Sequence, residues 1–303
     1  SQVTNGTMVA QDVITIWNLI ALQMVKTNAQ MAPMASRSLA MMHGAMFDAV
    51  NAIDQTYSPY RTLVRPGYAC SPEAAAAAAA NTVLSGVYTG QVQFLDTALS
   101  NSLALVADDL AKTNGIALGA DIGSQMLAWR ADDHMAMMMT NYTAGTNAGD
   151  WRPTPPGYMP PMMPGWGMAT PFALMHGMQF RPPEPPALDS AEYAAAVNEV
   201  QSVGALNSTN RTLAQAQAVT FWTDMPGTIT TVGRWNQIAR DVAAQKTNTL
   251  AANARLFALL NLGLADAGIT AWDSKYYYNR WRPIAAIREA DTDGNPATVQ
   301  DTN

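Results

Sequence analysis

Hydrophobic residues recur at helical spacing almost from the start of the chain. Across residues 9–31, Val13, Ile16, Trp17, Ile20 and Met24 fall at three- and four-residue intervals, on one face of an amphipathic helix that Pro33 ends. A second helix is predicted over 34–53, where Arg37, His43, Asp48 and Asn51 stand in a small, apolar sequence suited to close helix contacts. Ser71-Pro72-Glu73 is a start signal. A serine hydroxyl accepts from an unpaired N–H of the first turn, and proline at the first helical position forfeits no hydrogen bond. The alanine run 74–80 that follows is low in complexity and favours helix. Over 114–139, Leu118, Ile122, Met126 and Leu127 supply the next apolar face, with Gly115 read as a break from the preceding helix.

The periodicity then stops. Residues 141–186 are crowded with proline, glycine and aromatics, as in Trp151-Arg-Pro-Thr-Pro-Pro156, Pro164-Gly-Trp166 and Arg181-Pro-Pro-Glu-Pro-Pro186. No helix survives that proline density. A loop this long in a compact domain has a function or covers other elements, and its tryptophans predict that it lies against protein. The other reading, a linker between two domains, fits the aromatic content less well. Helical signals return where Asp189-Ser190 caps a helix through Gly204, Ser208 opens one through Asp224, and two more are predicted over 232–246 and 250–273. No alternating strand pattern is present. The expectation is an all-α, multi-helix bundle: a single helical domain over 1–303, helical over 1–140, covered by the loop 141–186, and helical again over 187–303.

Composition narrows the classes. With 49% hydrophobic residues and 13% charged, the chain is globular, and its net charge of −6 excludes the clustered basic surface that nucleic acid requires. A single cysteine, Cys70, excludes an internal disulfide and a thiolate zinc cluster. The apolar stretch 13–25 is broken by Asn18 and Gln23, so no membrane span is expected. A chain that opens on Ser1 fits a processed, exported protein, periplasmic or extracellular.

The chemistry concentrates near the end, in Lys275-Tyr-Tyr-Tyr-Asn-Arg-Trp-Arg282-Pro283. Lysine offers a compact ammonium with three donors and arginine a planar fork that stays charged, a pair suited to a tetrahedral oxyanion such as phosphate or vanadate. Seven residues are almost two helical turns, but Pro283 pushes residue 282 away from helical angles. Lys275 is therefore placed at the end of one helix and Arg282 in the turn entering the next.

Around this pair stand Arg211-Thr-Leu-Ala-Gln215, Phe221-Trp222-Thr-Asp224, Asn253-Ala-Arg255-Leu-Phe257-Ala258, Ala265-Asp266-Ala-Gly268 and Trp272-Asp-Ser-Lys275. Together with Trp281-Arg282-Pro283, these blocks resemble the vanadium-dependent haloperoxidases and their relatives in the type 2 phosphatidic acid phosphatase superfamily, most of all the bacterial haloperoxidase-like group. The family signature is Lys-x6-Arg-Pro, then Pro-Ser-Gly-His, then Ser-Arg-x5-His. The resemblance implies that Lys275 and Arg282 bind the cofactor vanadate, for which phosphate substitutes. It implies an enzyme in which vanadate-bound hydrogen peroxide oxidises halide to hypohalous acid, with a small organic substrate downstream. Trp272 corresponds to an aromatic on the halide side of the pocket, and Asp224 to an acidic residue that orients a cationic ligand. The axial histidine ligand, the acid/base histidine and the second arginine are expected beyond Asn303, or from a second chain or a homo-oligomer. Two other functions stay open: an acid phosphatase acting through a phospho-histidine, and an inactive, assembly-forming relative.

The remaining candidates read as structure. His43, His134 and His176 are scattered and lie outside any Pro-Ser-Gly-His context. Asp291-Thr-Asp293-Gly-Asn295 has glycine at the fourth position rather than the sixth of a calcium loop, so a polar turn is expected. The 19 methionines are read first as fillers of core gaps, with soft-metal ligation or oxidant capture as the functional alternatives.

Overall fold

The computed structural model describes residues 12–302. Among them are ten α-helices, several short 3-10 turns and no strand, in agreement with the all-α expectation. The helices are α1 (Val13–Thr27), α2 (Ala32–Asp54), α3 (Pro72–Val87), α4 (Val92–Leu103) and α5 (Leu110–Trp129), then α6 (Ala191–Gly204), α7 (Leu213–Trp222), α8 (Thr230–Lys246), α9 (Leu250–Tyr278) and α10 (Pro283–Arg288). Among the described residues two compact units are formed, one from 12–133 with 224–266, the other from 134–223 with 267–302. Helix α9 contributes its first part to one and its last part to the other.

In the first unit, α3 and α5 meet at backbone distance. Gly115, Gly119 and Gly123 recur every fourth residue on α5, and all of the alanines 74–80 on α3 are buried. A Cβ at Gly119 would lie 2.0 Å from the Ala75 carbonyl oxygen, and one at Gly115 2.5 Å from that of Ser71. Gly115 is thus a contact inside a continuous helix and not a break. That helix begins at Leu110, because the Asp109 carboxylate accepts from Lys112 N, and it ends at Trp129 rather than 139. Helix α4 carries too weak a pattern to predict, since Leu95 alone among its residues is buried. The start signal at Ser71 behaves as expected, its hydroxyl accepting from Ala74 N.

A buried polar ladder ties α1, α2, α8 and α9 together. Asn18 donates to Asn236 Oδ1 at 2.7 Å, and Asn236 and Asn261 exchange amide bonds of 2.8 and 2.9 Å. The second Asn18 proton points at His43 Nε2, 2.9 Å away, which assigns the ring proton to Nδ1. His43 is fully buried and stacked on Phe257 at 5.2 Å between ring centroids. Burial lowers its pKa from 6.5 to about 3. Helix α9 is long and apolar enough to cross a membrane by length and composition alone. Its buried Asn253, Asn261 and Asp266 fit a core helix instead.

The second unit contains α6, α7, the end of α9, α10 and the proline-rich segment. Tyr193 and Val197 of α6 pack with Trp281, Ala285 and Ala286. Ser190 caps α6 as predicted. Helix α7 opens at Thr212, where a reciprocal capping box with Gln215 wins over Ser208, whose hydroxyl accepts from Asn210 N and Arg211 N in a turn.

Gly119→Ala should destabilise the protein by about 1–3 kcal/mol through overpacking against α3. Gly263→Ala, in an exposed stretch of α9 where a new Cβ meets nothing within 4 Å, should stabilise by about 0.5–1 kcal/mol. Urea unfolding of both variants checks the contrast. Folding also keeps a proton off His43 that the unfolded chain takes up below pH 6.5. That contribution is intact above 6.5 and is lost at ~1.4 kcal/mol per pH unit as pH falls toward about 3. The urea midpoint of His43→Gln should fall less steeply over this window than that of the unsubstituted protein.

Candidate oxyanion site

Lys275 lies in the last turn of α9, where the partial negative charge of the helix end favours a cation. The helix stops at Tyr278, and Asn279 turns the chain with a φ of 51°. Arg282 follows as the N-cap of α10 in extended geometry (φ −78°, ψ 156°), with Pro283 in the first turn. The two cations thus occupy the helix end and the turn that the proline dictates. Both line one cavity of about 320 Å³, walled by Tyr142, Trp151, Tyr276, Met162 and the segment 154–160.

The electrostatics of this cavity are one-sided. Among the described residues neither Lys275 nor Arg282 forms an ion pair, whereas Arg37, Arg130, Arg152, Arg181 and Arg234 each hold a carboxylate. Lys275 is exposed as a residue, yet partial burial of its ammonium, followed by the like charge of Arg282, lowers its pKa. The ammonium sits 4.8 Å from the centroid of the Trp272 ring. An oxyanion between the two cations would relieve both effects.

The proline-rich segment is fastened to the helix that carries Lys275. Trp272 Nε1 and Tyr276 OH, one turn apart, both donate to the Met162 carbonyl, at 3.0 and 2.7 Å. Tyr278 OH donates to Pro182 O at 2.6 Å, Arg280 to the carbonyl of Pro186, and Arg181 pairs with both Asp273 oxygens at 2.7 and 3.0 Å. Trp151 N donates to Asn279 O and Trp281 N to Gly149 O, closing the segment onto the turn between the cations. Gly167 packs so tightly on Asp273 that a Cβ would approach its Cα to 2.5 Å.

Trp272 and Asp224 are not among the residues that line this cavity. The Trp272 indole N–H is spent on Met162, and the ring supports Lys275 from beside the cavity wall. Asp224 belongs to the first unit, nearly buried, and the cation it orients is Arg234, at 3.0 Å. The cavity lining contains no histidine. His134 is exposed with Nδ1 3.1 Å from Thr170 Oγ1, and His176 is exposed in extended backbone. One string escaped the sequence reading: Ser36-Arg37-x5-His43 has the spacing of the last signature block. It is part of the first unit's core, with Arg37 bound to Asp133 and the Arg130 carbonyl, and His43 sealed against Asn18. Asp293 forms the expected polar turn, accepting from Asn295 N and Thr298 Oγ1.

The residues that sequence reasoning missed are Tyr142, Trp151 and Tyr276, packed edge-on around Tyr142 at centroid distances of 5.5 and 5.1 Å. Aromatic density in the loop was the available signal. It does not say which rings meet.

Comparison with known proteins agrees with this picture. Residues 255–299 match the model of the VCPO second helical-bundle domain. The chain is 28% identical over 354 aligned residues to vanadium chloroperoxidase of Curvularia inaequalis, covering 93% of this chain and 57% of that protein. The fold matches the crystal structure of the first bacterial vanadium-dependent iodoperoxidase with a TM-score of 0.78 at 24% identity, covering 95% of this chain and 74% of that one. It also matches an apo bacterial vanadium-dependent chloroperoxidase with a TM-score of 0.61 at 16% identity, over 95% and 68%. By these matches the chain is similar to vanadium chloroperoxidase and has the all-α vanadium haloperoxidase fold.

Proposed function

We propose that this chain supplies the cationic part of a vanadium-dependent haloperoxidase-like active site, in which Lys275 and Arg282 hold vanadate and hydrogen peroxide oxidises halide to hypohalous acid. The observation that carries the reading is the convergence of two cations without acidic partners on one cavity, in a chain similar to vanadium chloroperoxidase. The donor set fits an oxyanion, since ammonium and guanidinium together present only donors and positive charge. The nitrogen ligand that the resemblance calls for is not among the lining residues. When bound, vanadate supplies Lewis-acid activation of peroxide toward halide.

The chain's own residues do the positioning and the charge compensation. The extended N-cap conformation of Arg282, fixed by Pro283, sets where the guanidinium fork begins. Lys275 contributes a point charge whose desolvation strengthens its pull on an anion. Trp272 and Tyr276 hold the cavity wall through Met162, so the donors are set before an anion arrives.

Lys275→Ala should weaken binding of inorganic vanadate by about ten- to a hundredfold, the loss of one charge-assisted hydrogen bond. Calorimetric titration of the purified protein reads this directly, and unchanged affinity removes Lys275 from the site. The reaction class is read by vanadate-dependent halogenation of a diketone dye beside hydrolysis of p-nitrophenyl phosphate. Phosphate hydrolysis without halogenation overturns the haloperoxidase reading.

The lowered pKa of Lys275 fixes a pH dependence. Anion binding needs the ammonium, so it is retained below that pKa and weakens as pH rises through it, earlier than for an ordinary lysine. Lys275→Arg should carry phosphate binding to more alkaline pH, measured by titration across the range.

A further inference from the structure

Methionine is distributed unevenly over this fold. In the helices of the first unit Met24, Met41, Met42, Met46 and Met126 are buried and fill the core. Between residues 137 and 178 most methionines face solvent: Met137, Met139, Met168, Met175 and Met178 are exposed, from 38% at Met137 to 81% at Met175, while Met163 is buried. Met159 and Met162, also exposed, line the cavity that holds Lys275 and Arg282. Packing cannot account for an unbranched thioether left in solvent, because its usual role is to adapt to irregular core gaps. A thioether differs from other apolar side chains in one chemical respect: its sulfur is a soft nucleophile that takes up a two-electron oxidant.

Resting on the reading above, we infer that the proline-rich cover carries a sacrificial methionine screen, with Met159 and Met162 as its inner pair, that intercepts hypohalous acid before it reaches the aromatic wall of the site. The sulfur lone pair attacks the halogen of HOX, and the O–X bond breaks to leave hydroxide. Water then adds to the halosulfonium sulfur and halide departs with the electron pair, giving sulfoxide, halide and one net proton. Sulfur is oxidised by two electrons and halogen is reduced to halide. The groups to be spared are Trp151, Tyr142 and Tyr276, which wall the cavity, and Trp272, whose ring faces Lys275. The one cysteine is a poor competitor, since Cys70 is buried and burial raises its pKa, keeping it a thiol. Exposed sulfoxides are harmless to the fold in a way that buried ones are not, which fits the concentration of exposed methionines in the cover and just before it, with Met225 the exposed exception elsewhere among the described residues.

The test adds hypochlorous acid in graded equivalents to the purified protein, without vanadate or peroxide, so that it does not depend on the protein's own turnover. Peptide mass spectrometry should show sulfoxide at Met159, Met162 and the five outer positions before any modification of Trp151, Trp272 or the buried methionines. In the double variant Met159→Leu/Met162→Leu, tryptophan modification and loss of inorganic vanadate binding should begin at several-fold fewer equivalents. Accessible methionines with no protective role would oxidise without moving that threshold, so an unchanged threshold overturns the inference, as does tryptophan oxidation ahead of methionine. A screen that behaves as expected in a protein that makes no hypohalous acid would overturn the haloperoxidase reading and leave the screen's chemistry measured.

Discussion

A proline-rich chain carries a full set of carbonyl acceptors and a reduced set of N–H donors, so carbonyls that it turns toward protein find their donors on other elements. The second unit depends on this constraint. Its donors come from the last turns of α9 and the turn after it, through Trp272, Tyr276, Tyr278 and Arg280 to the carbonyls of Met162, Pro182 and Pro186. The run of aromatic and basic residues around Lys275 is the complement of a donor-poor cover. One set of bonds both holds the cover in place and builds the wall of the anion cavity.

Charge pairing separates the site from the scaffold. Arg37, Arg130, Arg181 and Arg234 are each committed to a carboxylate, and the first unit buries the Arg130–Asp133 pair beside its asparagine ladder and neutral His43. Lys275 and Arg282 instead face the same volume, and burial, followed by the like charge of Arg282, lowers the Lys275 pKa. Two cations without a carboxylate partner among the described residues thus converge on one cavity. The first unit is built on a different principle, the close approach of α5 glycines to α3 alanines, where any side chain would collide with backbone.

Several sequence expectations failed for local physical reasons. Gly115 looks like a helix break until its partner is known, because the same absence of Cβ serves a turn or a tight helix contact. Ser208 and Thr212 both qualify as caps, and Gln215 decides for Thr212 by returning a bond to its N–H. Beside these, the Trp272 indole N–H holds the cover and Asp224 pairs with Arg234, partners that no local pattern names. The string Ser36-Arg37-x5-His43 shows the opposite hazard, a signature spacing realised in a core helix.

The sequence by itself determined the helical class, the proline-rich interruption and the placement of Lys275 and Arg282 on either side of a helix end, because periodicity, capping and the restriction before proline are local effects. Only the tertiary structure decided which polar groups are spent and which remain open. Arg181 meets Asp273 across 92 positions and Trp272 meets Met162 across 110, and such partnerships are set by chain packing that no local pattern encodes.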